Sequence, residues 1–425
     1  MAMSEFRRTT LDNEITIVSE DQPSSRAVSV GIWIETGSRD EKPSQYGLSH
    51  FIEHMVFKGT KHRDSYAIVR DLEQVGAEIN AFTTKEHTCY HTLGLYEDLD
   101  LSLDVLTDLV CHAQFPLSEL EVEKGVVLQE IGASEDSPEE FIYDLFLEKF
   151  YGKSSLGHQI LGNAETVKAF TKKDLVSYYK SRYVGSRIVV AASGRLNHDE
   201  LVKKIKKKMG RLTAGRKGPA YKKVRTEYFR EVHPRESDQT HILLGLPATS
   251  FKDKQRFEAF ILNGLLGGGM TSKLYQRVRE DEGLAYSVYS SLSTFTDVGL
   301  INIYAHTSSD QASNVLSIIR DELKRIKKEG MTEADLSLFK NQVRASILLG
   351  ADDVENRMNS IGVNEIVFRD YRSVERVVKD IESVTLKRMK DYINKYLILD
   401  DVSILVLGPH GSKKERAWIE AFGGQ

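Results

Sequence analysis

The chain repeats itself at a spacing of 216 residues, and this limits its fold more than any other feature. The stretch "SELEVEKGVVLQEI", ending at Ile131, and the stretch "ADLSLFKNQVRASI", ending at Ile347, align without a gap and place Lys124 opposite Lys340. The ends agree. "SRIVVAASGRLNHDELVKKIKKKMG" and "DVSILVLGPHGSKKERAWIEAFGG" both read as a β-branched buried strand, a glycine turn and a lysine-rich amphipathic helix. Each half also opens with a strand, "AVSVGIWIE" or "THILLGL", followed by a polar turn and a long helix. A chain of 425 residues has room for two such domains. Between them, Lys203 to Arg230 holds twelve Lys or Arg against one Glu, with Gly210, Gly215, Gly218 and Pro219. That is the chemistry of a flexible polar linker. The expected organisation is an N-terminal metal-binding domain over 1–210, a basic linker over 211–230 and a duplicated domain without a metal site over 231–425. Strands alternate with helices, and "EHTCYHTLGLY" reads as half-exposed. Both observations favour the α+β class, each domain a mostly antiparallel sheet with helices packed on one face.

Bulk properties exclude several function classes. The net charge of −4 is near balance, which argues against a nucleic-acid partner, and the basic run is read as linker. No apolar run reaches the ~18 residues of a membrane span. The N-terminus "MAMSEFRRTTLDNEITIVSE" has no apolar core of a secretory signal, so the cytoplasm is the expected compartment. Cys89 and Cys111 offer no disulfide framework and read as reduced packing residues.

The chemistry concentrates in "GLSHFIEHMVFKGT", Gly47 to Thr60. On a helix, His50 and His54 at i and i+4 share a face with Cβ atoms roughly 6 Å apart, so both imidazoles can converge on one ion. Glu53 projects toward the same face. Leu48, Phe51, Ile52, Met55 and Val56 cover the other sides, so the helix is expected to be largely buried. Buried imidazoles beside a carboxylate need partners, and a divalent metal serves all three. The order H-x-x-E-H leaves Glu53 free to act as a general base on water at the metal.

A catalytic zinc takes three protein ligands and keeps one open position. The acidic stretch from Glu119 to Glu140, with eight acidic residues and one lysine, supplies candidates for the third. Glu123 and Glu130 lie seven apart, two helical turns, on one face. Glu130 follows Gly125, Val126, Val127 and Leu128 and is the carboxylate expected to be buried. The duplication is an internal control. At the 216 offset Glu123 meets Phe339 and Glu130 meets Ser346, while "NGLLGGGMTSKL", from Asn263 to Leu274, has no histidine. A rival set, His87, Cys89 and His91 at strand spacing, has neither a further ligand nor a base beside it and reads as half-exposed strand. The remaining histidines, His62 and His112 among them, stand alone and read as ordinary.

With these residues assembled, the chain resembles the insulinase/pitrilysin zinc metallopeptidases, most closely the branch of the mitochondrial processing peptidase and its bacterial relatives. The resemblance runs through "YGLSHFIEHMVFKGT", "GAEINAFTTKEHTCY" and "EVEKGVVLQEI", with Glu130 standing 76 positions after His54. In the second half it runs through "LLGGGMTSKLYQRVREDEGLAYSVYS". It implies that the chain is half of a clamshell closing around a chamber, with a second chain, identical or different, as partner. It implies one zinc on His50, His54 and Glu130, Glu53 as general base and Glu123 as a carboxylate orienting the site. It implies that Asn80, Ala81 and Phe82 receive substrate as an added strand. Gly267, Gly268 and Gly269 would belong to a glycine-rich loop that contacts substrate. Arg279 and Tyr286, which read alone as a helix-end arginine and a strand tyrosine, would hold the substrate backbone and the developing oxyanion. With both sets in one chain, a homodimer is the favoured assembly.

Two functional readings follow. The first is a zinc endopeptidase that cuts short unstructured peptides, basic or presequence-like ones included, inside a closed chamber. The second is a non-catalytic peptide-binding or scaffold subunit of a processing-peptidase-like assembly. The intact constellation favours the first.

Overall fold

The computed structural model describes residues 5–218, 221–222, 224–409 and 412–423. Pro219, Ala220 and Lys223 of the expected linker lie outside the described residues. The strands are β1 (Glu5–Thr10), β2 (Thr16–Asp21), β3 (Ala27–Ile34), β4 (Glu78–Thr83), β5 (Thr88–Leu95), β6 (Ile188–Gly194), β7 (Arg230–Pro234), β8 (Thr240–Ala248), β9 (Ser287–Thr294), β10 (Gly299–Thr307) and β11 (Ser403–Gly408). The helices are α1 (Leu48–Val56), α2 (Ser65–Glu73), α3 (Leu99–His112), α4 (Leu117–Asp136), α5 (Pro138–Tyr151), α6 (Ala164–Ala169), α7 (Lys172–Arg182) and α8 (His198–Met209). They continue with α9 (Arg256–Gly267), α10 (Ala312–Glu329), α11 (Glu333–Ala351), α12 (Val354–Phe368), α13 (Val374–Glu382), α14 (Leu386–Tyr396) and α15 (Ser412–Ala421).

Two compact units emerge, and relative to the stretches 1–210 and 231–425 each exchanges a segment with the other. The first comprises Met1–Ala133, His158–Ala220 and Leu348–Arg372; the second comprises Ser134–Gly157, Tyr221–Ile347 and Ser373–Gln425. Each unit therefore receives one helix from the other half of the chain.

In the first unit six strands run in the order β1-β2-β6-β3-β5-β4, antiparallel except for the β2–β6 pair. Alternation along the strands sends Ile17, Val30, Ile32, Ile34 and Val190 into the core beneath α1, α3 and α8. Val18, Trp33, Val189 and Ala191 point to the opposite face, where they meet Met358 and Ile361 of α12. That helix comes very close to the sheet. A Cβ at Gly362 would stand 2.6 Å from Trp33 Nε1, so only glycine fits there. Buried charges also fix it: Arg357 pairs with Glu20 through two bonds, one of them 3.2 Å from Nε to Oε1. Glu365 binds Arg8 of β1 at 2.9 and 3.0 Å.

The second unit repeats the plan. Its sheet runs β7-β11-β8-β10-β9, again antiparallel except for one pair, β7–β11. Without β1, the order β2-β6-β3-β5-β4 of the first unit is the same order. Most helices pack on one face, with Ile242, Leu244, Ile303 and Val406 buried beneath them. α5 lies on the other, where Ile142, Phe146 and Phe150 cover Leu243, Leu300, Leu405 and Leu407. Burial of each such side chain contributes about 1.5–3 kcal/mol.

The paired lysines show how deep the repeat goes. Lys124 Nζ donates to the carbonyl of Lys168 at 3.1 Å, and Lys340 Nζ donates to that of Val384 at 2.9 Å. Acceptors and donors share the same 216-residue offset. In each unit the ammonium ties a long helix to the C-terminal end of a short one, at carbonyls that the short helix leaves unsatisfied.

Candidate metal centre

The helix that carries the histidines is set in place from both ends. Gly47 precedes it with φ of 91°, a left-handed conformation, and a Cβ there would meet the Leu161 carbonyl at 2.4 Å. Glycine cannot cap through a side chain, so the buried Glu41 serves from outside. It accepts from Gly47 N at 2.8 Å and Ser49 N at 2.6 Å, satisfying first-turn donors and complementing the helix dipole. Leu48, Phe51, Ile52, Met55 and Val56 are fully buried, as their pattern predicted.

The remaining face carries His50, Glu53 and His54. Glu130 of α4 meets it: its Oε2 lies 3.8 Å from His50 Nε2 and 3.6 Å from His54 Nε2. One donor atom from each of the three lies within 4.8 Å of the others. Tetrahedral bonds of about 2.1 Å place ligand atoms roughly 3.4 Å apart, so modest contraction would seat a zinc-sized ion. Two further features fit such an ion. Glu130 Oε2 is buried and has no hydrogen-bond partner. His54 Nδ1 is held by Glu123 Oε1 at 2.8 Å, which leaves Nε2 as its ligand atom.

The two imidazoles are held in different electrostatic settings. Burial, with a lesser push from His54, lowers His50 to a pKa of about 4, so its imidazole is neutral, as ligation requires. Burial works to lower His54 too, but the Glu123 hydrogen bond and the nearby carboxylates outweigh it and raise its pKa. Burial raises Glu53, only partly offset by a hydrogen bond from Thr83. For Glu123, burial opposes ionisation, but its bonds to His54 and Lys58 prevail and lower its pKa.

One expectation is corrected. Glu123, with a side chain 3% exposed, is the buried carboxylate, whereas Glu130 is 39% exposed. The stripe of α4 that packs inward is Leu120, Glu123, Lys124, Val127 and Ile131. Val122 and Val126 face outward, so the apolar run before Glu130 does not mark burial. Two contributors were also missed. Lys58 Nζ holds Glu123 Oε2 at 2.7 Å, and Thr83 Oγ1 donates to Glu53 Oε2 at 2.5 Å. Both had a signal: Lys58 is one helical turn beyond His54, and Thr83 shares a strand face with Ala81.

The other predicted residues fall as follows. Asn80, Ala81 and Phe82 lie on β4, the last strand of its sheet, paired on one side with His91, Tyr90 and Cys89. β4 packs against α1. Arg279 and Tyr286 belong to the second unit, where the guanidinium sits 5.1 Å from the Tyr286 ring centre. Tyr286 is largely exposed. Gly267 is buried where α9 crosses β9, and a Cβ there would meet Ser290 N at 2.4 Å, so it has a packing role. Gly268 and Gly269 are exposed. The rival set does not gather. His91 Nδ1 lies 3.3 Å from Glu355, and His87 packs edge-on against Phe82 and tilted against Trp33. Both cysteines are free. No helix among the described residues is long and apolar enough to cross a membrane.

Two family models match the chain in succession. The family model described as insulinase (peptidase family M16) matches residues 16–164. The model of the peptidase M16 inactive domain matches residues 169–343. An uncharacterized zinc protease of Mycobacterium tuberculosis is 37% identical over 96% of this chain and 94% of its own. One from Bacillus subtilis is 34% identical over 96% of this chain and 99% of its own. Among solved structures, a peptidase M16 inactive domain from Pseudomonas fluorescens superposes with a TM-score of 0.90 at 19% identity, covering 96% of this chain and 98% of its own. A protease from Helicobacter pylori does so with a TM-score of 0.89 at 20% identity, covering 96% and 100%. By fold, by internal repeat and by identity over nearly its whole length, the chain belongs to the insulinase family, peptidase family M16.

Proposed function

We propose that this chain is a zinc-dependent endopeptidase that hydrolyses short unstructured peptides. The observation that carries the reading is the convergence of two imidazoles and one carboxylate, with Glu53 on the same helix between the two histidines. His50, His54 and Glu130 would hold the ion, which when bound supplies Lewis acidity at the scissile carbonyl. Glu53, held by the Thr83 hydroxyl, takes the proton of the attacking water and hands it to the leaving amine. Glu123 and Lys58 keep His54 in one orientation. The terminal position of β4 supports substrate entry as an added strand along Asn80, Ala81 and Phe82, which any extended peptide can make through its backbone. Arg279 and Tyr286, adjacent in the second unit, are assigned to the substrate backbone and the oxyanion. The relatives' description as zinc proteases supports the same reading. The acidic face of α4 favours basic peptides, and a self-sufficient homodimer is the proposed assembly.

The test is hydrolysis of a mixed pool of peptides ~10–40 residues long by wild type and Glu53→Gln, read by mass spectrometry. Glu53→Gln is expected to keep its metal and lose activity by about 10²–10⁴-fold. Equal cutting by both proteins would remove Glu53 from the chemistry. Equal inactivity across a range of added metals would favour a peptide-binding scaffold.

A further inference from the structure

A second group of donors lies in the first unit, away from the H-x-x-E-H helix. His62, Asp108 and His112 each present one donor atom within 4.8 Å of the others. They help to line a cleft of about 510 Å³. Asp108 and His112 are one turn apart on α3, with Oδ1 and Nδ1 at 3.0 Å. His62 reaches them from the turn after α1, its ring centre 5.2 Å from that of His112.

The carboxylate of Asp108 is divided between two tasks. Its Oδ2 accepts from Thr60 Oγ1 at 2.5 Å and Arg63 at 3.2 Å, which fixes its plane. Its Oδ1 is turned to His112 Nδ1. The positive charge of Arg63 is spread over Asp71 at 3.0 Å and Asp104 at 2.6 Å as well, so it lies on the Oδ2 side and is already neutralised. A buried, oriented oxygen beside one exposed and one half-buried imidazole suits borderline divalent ions such as zinc, nickel or copper, and suits magnesium or calcium poorly.

We propose that His62, Asp108 and His112 form a second transition-metal site whose ion staples the turn after α1 to the end of α3. Besides the Thr60 and Arg63 bonds to Asp108, that turn touches this helix end through its backbone. Lys61 N donates to His112 O at 3.0 Å, and Gln114 N donates to Gly59 O at 3.1 Å. The ion adds a further side-chain tie at the same junction. Lys58, in the same turn, holds Glu123, which holds His54. Occupation of the second site therefore firms a chain of contacts that ends on a ligand of the first.

The site is tested by metal stoichiometry on the full chain. Metal-free wild type, His62→Ala, His112→Ala and Glu130→Gln are titrated with zinc chloride by calorimetry, and bound metal is counted by mass spectrometry after dialysis. Wild type is expected to bind two equivalents. His62→Ala and His112→Ala each bind one, and Glu130→Gln keeps the one that His62→Ala loses. His62 is exposed, so its replacement leaves the fold intact even where His112→Ala does not. A wild-type metal count that His62→Ala does not lower would overturn the proposal. Neither result bears on hydrolysis at Glu53, because the count is read without substrate.

Discussion

The two units share a strand order, a single parallel pair, a lysine bound to the same helix-end carbonyl and a helix borrowed from the other half of the chain. They differ at the adjacent position. In the first unit Glu123 precedes Lys124 and holds His54; in the second, Phe339 precedes Lys340 and is buried in the core. The lysine belongs to the scaffold, since both copies use it alike. The carboxylate belongs to the site, since the copy without the H-x-x-E-H motif has an apolar side chain there. One repeat thus separates residues that hold the fold from those that hold an ion, two sequence positions at a time.

Three measurements press on this comparison, beginning with the largest effect. Burial keeps His87 neutral in the turn between β4 and β5 of the first unit and pushes its pKa down to about 4. Its unfolded value is near 6.5, so the unfolded chain binds the extra proton and stability falls as pH drops from about 6.5 toward 4. His87→Leu is expected to remove up to about 3 kcal/mol of that acid loss, seen as a flatter denaturation midpoint against pH. An unchanged slope would mean that the buried imidazole is not what makes the first sheet acid-sensitive. Next, Glu123→Gln is expected to weaken zinc binding by about 10–100-fold while the thermal midpoint of the metal-free chain hardly moves. Equal losses in both would place Glu123 with the scaffold and erase the contrast. The smallest effects are those of Lys124→Met and Lys340→Met. Each should cost about 1–2 kcal/mol in denaturant melts, and zinc affinity should survive both. A large loss for one copy alone would show that the repeat is not energetically shared.

Much of this was legible in the sequence, for identifiable reasons. The apolar pattern around His50 and His54 can be satisfied only by a buried helix with one polar face, so that helix was readable from a few residues. The 216-residue repeat located the second domain and showed that the segment from Asn263 to Leu274, which stands where the metal helix would be, has no histidine. Glu130 was found by its spacing and misjudged in its burial, because α4 packs through a stripe that includes Glu123 and leaves Val126 outside. The metal donors His62 and His112 looked solitary because fifty residues separate two side chains that the bridge between Thr60 and Ala113 brings together. The exchange of α5 and α12 gave no local signal either. Each helix has an apolar face, and nothing in such a face says which sheet it will cover.

That exchange also sets a timetable. The face of the first sheet formed by Val18, Trp33, Val189 and Ala191 is covered by Met358 and Ile361, which follow the last strand of that sheet by more than 150 residues. At ~5–20 residues per second, that face stays bare on the ribosome for on the order of ten seconds. Over the same interval Glu20 waits for Arg357. A nascent chain stopped at the basic linker would hold every metal ligand of both proposed sites and still lack the helix that closes the sheet beneath them, so ion binding and completion of the fold are separated in time by the length of the second half.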